Sequence, residues 1–160
     1  HMDINPANVV VVDNSLKIND FNIAVMLKWN RTSSTQCGFP AQYPNPQWRS
    51  PEEANKSQHL TEKIDVFSMG HIFFRMICGH EPWNKLEKGG RPTDMEITQK
   101  VKSGELPQIP EEIRLSKDLE IKTILAAMLA CYTTEPTERP SSRAIANFLD
   151  KEWQRLSRDV

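Results

Sequence analysis

Along the first quarter of the chain, apolar and polar positions follow each other in short runs. Val9-Val10-Val11-Val12 is β-branched throughout, Asp13-Asn14-Ser15 interrupts it, and Leu16-Lys17-Ile18-Asn19 resumes with a period of two. β-Branched side chains fit extended backbone, and an alternating run gives a strand one buried face. The spacing therefore predicts a β-hairpin closed by an Asp-Asn turn. From Trp29 to Pro51 the period is lost. Asn30, Arg31, Thr32, Ser33, Ser34, Thr35, Gly38, Pro40, Pro44, Asn45 and Pro46 collect there, as in a long loop. Loops of that length inside a compact domain are usually functional or mobile.

Beyond the loop the pattern is helical. Leu60 to Cys78 carries Ile64, Val66, Phe67, Met69, Ile72, Phe73, Phe74, Met76 and Ile77, so apolar groups surround the cylinder, and Gly79 is placed to cap it. A helix of that kind belongs in the middle of a domain. Thr93-Asp94-Met95-Glu96 has the spacing of a capping box at the start of a helix running to about Lys102 and ended by Gly104, with Ile97 and Val101 on its inner face. Ile121, Ile124, Leu125, Met128, Leu129 and Tyr132 recur behind a Ser116 N-cap, and Ile145, Phe148, Leu149, Trp153 and Leu156 behind Ser141. These two are predicted to be amphipathic surface helices. The fold class is thus mainly α with a small β-hairpin.

Composition narrows the function. At 160 residues the chain is one domain's worth, able to bury about two-thirds of the surface its unfolded form exposes. Twenty Lys and Arg against 21 Asp and Glu leave a net charge of −1, so no field of one sign favours nucleic acid or anionic lipid. The longest aliphatic run, Val9 to Val12, is far short of the roughly 18 residues of a membrane span. Cys37, Cys78 and Cys131 are odd in number and lack C-x-x-C spacing, which fits packed thiols in a reducing compartment. With no secretory pattern at the start, the expected location is intracellular and cytoplasmic. His59, His71 and His80 have no spaced ligand partners and are expected at the surface or in packing.

The motifs that carry chemistry flank the hairpin. Asp3-Ile4-Asn5-Pro6-Ala7-Asn8 precedes it and Asp20-Phe21-Asn22 ends it. This resembles the catalytic core of eukaryotic protein kinases, with residues 1–8 standing where that family has H-R-D-x-x-x-x-N and Asp20-Phe21-Asn22 where it has D-F-G. Ser50-Pro51-Glu52 looks like the A-P-E that closes the activation segment, and Asp65-Val66-Phe67-Ser68-Met69-Gly70 is similar to the start of the family's buried central helix. Glu81-Pro82-Trp83, then Met95 to Pro110, then Pro136-Thr137-Glu138-Arg139-Pro140-Ser141 follow in the family's order. Each motif alone is weak, and the ordered set is specific.

The resemblance covers the C-terminal lobe, half of the α+β kinase fold. Residues 1–22 would be catalytic loop, hairpin and D-F-G-like motif, 23–52 the activation segment, and 53–160 the helical subdomain. The glycines at 38, 70, 79, 89, 90 and 104 form no G-x-G-x-x-G, and no V-A-I-K strand precedes the catalytic loop. Phosphoryl transfer is mostly positioning and charge stabilisation, shared between a nucleotide-holding half and a metal-holding floor. By resemblance Asp3 would be the catalytic base, Asn8 and Asp20 would hold Mg²⁺, and Asn5, Asn8 and Asp20 would face the nucleotide. Glu52 and Arg139 would form an internal ion pair, and Asp65 would anchor the catalytic-loop backbone.

Three residues depart from the pattern. Asn5 replaces a Lys that contacts the transferring phosphate, Asn22 replaces the Gly of D-F-G, and Met2 replaces an Arg that pairs with a phosphorylated residue. The resemblance thus implies a kinase needing ATP and Mg²⁺ in the intact parent, with neither bound tightly by these 160 residues, which are expected to be inactive alone. The alternative is a non-catalytic, pseudokinase-like interaction module. Partners would be a protein substrate or protein partner, without nucleic acid or membrane. Apolar surface left by the missing lobe would drive self-association, including by exchange of a terminal segment.

Overall fold

The computed structural model describes residues 1–42, 46–84 and 90–158. Pro44, Asn45 and Gly89, named above, lie outside the described residues. The hairpin forms from β1 (Val9–Val12) and β2 (Ser15–Ile18), antiparallel, with Val12 opposite Ser15 and Val9 opposite Ile18. Asp13 and Asn14 have φ of 49° and 58°, the pair of positive values that a two-residue turn needs to match the twist of its strands. A 3-10 turn, Pro6–Asn8, leads into β1.

The stretch read as one long loop holds local structure of its own. β3 (Trp29–Asn30) and β4 (Thr35–Gln36) pair as a second small hairpin, and a 3-10 turn covers Pro46–Trp48. Two-residue strands are too short to leave a periodic signal. Next comes α1 (Pro51–Ala54), one turn with Ser50 as N-cap.

The central helix, α2 (Lys63–Cys78), begins three residues later than the apolar pattern predicts. Leu60 instead exchanges backbone hydrogen bonds with Phe39 at 2.8 and 3.0 Å, which ties the incoming chain to the stretch after β4 and stops the helix from starting earlier. At its far end Gly79 adopts φ 72° and donates to the Arg75 carbonyl, as a helix-ending glycine does. Ile64, Val66, Phe67 and Phe74 are buried on several sides of the cylinder. Burying one such side chain stabilises by about 1.5–3 kcal/mol, which makes α2 the axis of the core.

Three long helices complete the fold. α3 (Asp94–Lys102) carries the capping box, Thr93 and Glu96 each accepting from the other's backbone N–H. After a single turn, α4 (Glu111–Arg114), comes α5 (Leu119–Cys131). Its N-cap is Asp118, whose carboxylate accepts from Glu120 N at 2.8 Å and Ile121 N at 3.1 Å. Ser116, the expected cap, uses its hydroxyl one step earlier to accept from Asp118 N. α5 also departs from the amphipathic surface helix expected of it. Ala127, Met128 and Cys131 are fully buried, and the helix packs against α2 on one side and α6 (Ser142–Leu156) on the other. Ser141 caps α6 through Ala144 N.

The apolar contacts fall into four clusters along this frame. Met2, Phe39, Leu60 and Ile64 join the N-terminal loop to the start of α2. Val66, Ala127, Cys131 and Ile145 join α2, α5 and α6, while Phe67, Phe74, Met128 and Tyr132 fill the other side of α2. Trp83, Ile97 and Val101 seat α3. Of the cysteines, Cys131 is packed and Cys78 half-buried, but Cys37 is exposed rather than packed. Burial pushes the Cys78 thiol up to about 11 and that of Cys131 to about 12, so both stay protonated and unreactive.

Candidate active site

The N-terminal loop is held from below by Asp65, in the first turn of α2. Its Oδ2 accepts from the His1 backbone nitrogen at 2.7 Å and its Oδ1 from Met2 N at 2.8 Å. Met2 carries a positive φ of 69° and is buried, so the loop makes a tight reversal that the Asp65 carboxylate and the first apolar cluster fix together. The same reversal turns the Asp3 side chain towards Arg49. The His1 ring sits edge-on to Phe21 with centroids 4.6 Å apart, and its Nε2 is 2.9 Å from the Asn19 carbonyl. The two motifs that flank the hairpin in sequence are thereby brought side by side.

Asp3 and Asn8 meet directly. Asn8 Nδ2 donates to Asp3 Oδ2 at 2.8 Å and to the Asp3 carbonyl at 2.9 Å. With the nitrogen of the Asn8 amide committed to Asp3, its oxygen is the atom able to meet a cation. Asn19 donates its N–H to the Asn8 carbonyl at 2.9 Å, which continues the hairpin pairing one step past Val9 and Ile18, and Asp20 follows Asn19 at the hairpin's open end. Asp20 is exposed and takes a positive φ of 62°. Asn5 is used by the loop itself. Its Oδ1 caps the 3-10 turn through Ala7 N at 2.9 Å and its Nδ2 donates to the Asp3 carbonyl at 3.1 Å.

The donor set fits Mg²⁺. That ion takes oxygen ligands, commonly one or two from the protein, and leaves the rest of its shell to phosphate and water. An amide oxygen from Asn8 and a carboxylate from Asp20 are of that kind. Among the described residues no group of three or more His, Cys, Asp or Glu side chains forms a metal site by itself.

Glu52 and Arg139, 87 residues apart, form a bidentate pair: Nη1 to Oε1 at 2.7 Å and Nη2 to Oε2 at 3.2 Å. Arg139 also donates to the carbonyls of Thr133, Thr134 and Lys63, and its guanidinium lies 4.9 Å from the centre of the Phe67 ring. The side chain is fully buried and its donors are all used, which is how a buried cation escapes the cost of desolvation. This pair fixes the start of α1 to the helical body.

Three further residues at the site had no assigned role in the sequence reading. Arg49 donates through Nη2 to Asp3 Oδ1 at 2.9 Å and through Nη1 to the Met2 carbonyl. Glu53, in α1, accepts from Ser50 N at 3.0 Å and Ser50 Oγ at 2.8 Å, and burial raises its carboxyl from 4.5 to about 7 against those donors and Arg49. Ser50-Pro51-Glu52-Glu53 has the S-x-x-E spacing of a capping box, a signal that could have found it. His71 is buried on α2 with Nδ1 2.7 Å from Tyr132 Oη, while Nε2 has no hydrogen-bond partner. Burial holds its imidazole far down, at about 3, with the Arg49 backbone acting the other way. No single-residue pattern announces such a pair.

With this geometry in place, the comparisons with known proteins are specific. The protein kinase domain family matches residues 1–153, and the chain belongs to that family. It is 27% identical to the mitogen-activated protein kinase kinase kinase MCK1 of Pyricularia oryzae over 95% of this chain. It is 30% identical to the putative serine/threonine-protein kinase/receptor R818 of Acanthamoeba polyphaga mimivirus over 88% of this chain, and 29% identical to the serine/threonine-protein kinase chk-2 of Caenorhabditis elegans over 98%. The chain spans only 10%, 7% and 30% of those three proteins' lengths. No helix among the described residues is long and apolar enough to cross a membrane.

Proposed function

We propose that the chain is the C-terminal lobe of a protein kinase and supplies the floor of its active site. Asp3 receives the proton of a substrate hydroxyl as its oxygen bonds to the γ-phosphorus of ATP, the bond from that phosphorus to the β–γ bridging oxygen breaks and ADP leaves; Asn8 and Asp20 would hold Mg²⁺, which would supply charge to neutralise the phosphate oxygens. The observation that carries the reading is the joint grip on Asp3, with Asn8 at 2.8 Å on one oxygen and Arg49 at 2.9 Å on the other, over a loop anchored by Asp65. A base must be positioned before its basicity matters, and this one is. Serine/threonine-protein kinases among its relatives support a hydroxyl acceptor on protein.

Nucleotide binding in this reaction class uses a glycine-rich loop and the lysine of a V-A-I-K strand, and these 160 residues contain neither pattern. Transfer therefore depends on a nucleotide-binding half outside them, and the chain alone is inactive. The test is transfer of labelled γ-phosphate to a basic protein with Mg²⁺ and ATP. Full-length protein is expected to transfer and its Asp20→Ala variant to lose at least a hundredfold, while the 160-residue chain stays at background. Transfer by the chain alone that disappears in Asp20→Ala overturns the dependence on a second half.

A second reading, a non-catalytic interaction module, is favoured by Asn5. Its amide is consumed by the loop where the family pattern has a phosphate-contacting cation, so the loop keeps its shape and lacks that charge. Full-length protein that binds no nucleotide and transfers nothing supports this reading instead.

A further inference from the structure

Arg49 stands just before the cap of α1, in a backbone stretch pinned to α2 by the Ser68 hydroxyl, which donates to the Trp48 carbonyl at 2.6 Å. The residue is buried, and its side chain reaches back to residues 46 and 47 positions earlier in the chain. There it makes two directed contacts, Nη2 with Asp3 Oδ1 and Nη1 with the Met2 carbonyl. On its other flank Glu53 Oε1 lies 3.8 Å from Nη1. The guanidinium is thus held between two carboxylates that belong to different segments.

Two features separate this contact from ordinary packing. First, the donors go to a carboxylate oxygen and to the adjacent backbone carbonyl, an arrangement that a planar fork can meet and the single ammonium of lysine cannot. Second, Arg49 Nε is buried with no partner. A buried cation with an orphaned donor is a poor device for stability, since an apolar side chain of similar volume often does as well or better there. What the guanidinium does achieve is orientation. Asp3 Oδ1 is taken by Arg49 and Oδ2 by Asn8, so the plane of the carboxylate is fixed, while each oxygen keeps a second lone pair for an incoming hydroxyl.

We propose that Arg49 is a positioning residue for Asp3: it sets the orientation of that carboxylate and makes it depend on residues 46–53 being seated on the helical body. This rests on the reading of Asp3 as the base. Misplacement of a reacting group by about 1 Å can cost 100-fold in rate, so a clamp of this kind controls turnover without touching substrate or nucleotide.

The first arm of the test needs no activity. In the full 160-residue chain, hydrogen exchange followed by NMR at the Ala7 and Asn8 amides and at the Asn8 side-chain amide is expected to quicken tenfold or more in Arg49→Met. Amides of α2 and α6 should stay within twofold, and Arg49→Lys should fall between wild type and Arg49→Met. Unchanged exchange at residues 7 and 8 overturns the proposal. If Arg49→Met loosens α2 as well, Arg49→Lys decides: faster exchange confined to residues 2–8 supports the clamp, and none refutes it. The second arm uses full-length protein, in which Arg49→Lys should lower kcat at least tenfold with the KM for ATP within twofold. A changed KM with kcat retained overturns the positioning role. Wild-type protein that transfers nothing counts against Asp3 as a base, and the exchange result then settles whether Arg49 orients it.

Discussion

Glu53 and His71, neither assigned a role by its motif, set how this molecule responds to pH. Glu53 titrates at about 7 in the folded chain against 4.5 when free, chiefly because it is buried. Between those values the folded chain keeps a proton that the unfolded chain has released. Its contribution is therefore complete below pH 4.5 and is lost as pH rises to 7, a change on the order of 3 kcal/mol. His71 has the opposite sign. Held at about 3 against 6.5, it stays neutral while the unfolded chain takes up a proton, so stability grows as pH climbs from 3 to 6.5. The two slopes oppose each other between pH 4.5 and 6.5, and urea unfolding of the wild type should change little there. Glu53→Gln removes the falling slope, and its stability should rise by about 1.4 kcal/mol per pH unit over that window. Parallel profiles for variant and wild type would show that the Glu53 proton is not linked to folding. At this scale the sequence was legible where a motif names its own residue, as with Glu52 and Arg139, which meet at 2.7 Å. Arg49 was not, because its partners lie 46 and 47 residues away and no local spacing encodes them.

Among the elements, α2 shows how packing overrules propensity. Gly70 lies in its interior, where alanine would stabilise an isolated helix by about 1 kcal/mol. A Cβ built there would come within 2.9 Å of two Tyr132 ring carbons and 3.0 Å of Cys131 Cβ. The Tyr132 ring cannot swing aside, since it is wedged against Phe67 and His71 at centroid distances of 5.1 Å and hydrogen-bonded to His71 Nδ1. Gly70→Ala should therefore destabilise by about 1–3 kcal/mol in urea unfolding, as overpacking does; a gain in stability would mean that α5 can shift away from α2. Hydrophobic period and caps sufficed to place α2, α3, α5 and α6 in the sequence. Their starts depended on what else was near. Leu60 was drawn out of α2 by Phe39, and the choice between Ser116 and Asp118 as cap of α5 went to the longer side chain that reaches two backbone donors. The β3–β4 hairpin, two residues a strand, falls below what periodicity can resolve.

Over the whole molecule, exposed apolar side chains occur both on or next to the helices, where Met76, Met95, Leu115 and Trp153 are bare, and on the hairpin side. Leu16 is 72% exposed and Met26 87%, and Val11, Ile18, Phe21 and Trp29 are also exposed on or next to the hairpin. Apolar groups gathered in one region seldom remain bare on a monomer. In a solution of the isolated chain the available partner is a second copy, and light scattering should show a mass that rises above 18.4 kDa with concentration. A strict monomer at high concentration would refute the self-association. Asp3 and Asn8 meet at the foot of the same hairpin, which Asn8 precedes by one residue. The most direct measurement of the central claim is γ-phosphate transfer from Mg²⁺-ATP to a hydroxyl-bearing peptide by full-length protein and by its Asp3→Asn variant, which keeps the size of the side chain, gives up one of its two accepted hydrogen bonds and removes the base. Transfer by the wild type, reduced at least a hundredfold in Asp3→Asn, is the result predicted here. Transfer undiminished in Asp3→Asn would contradict it.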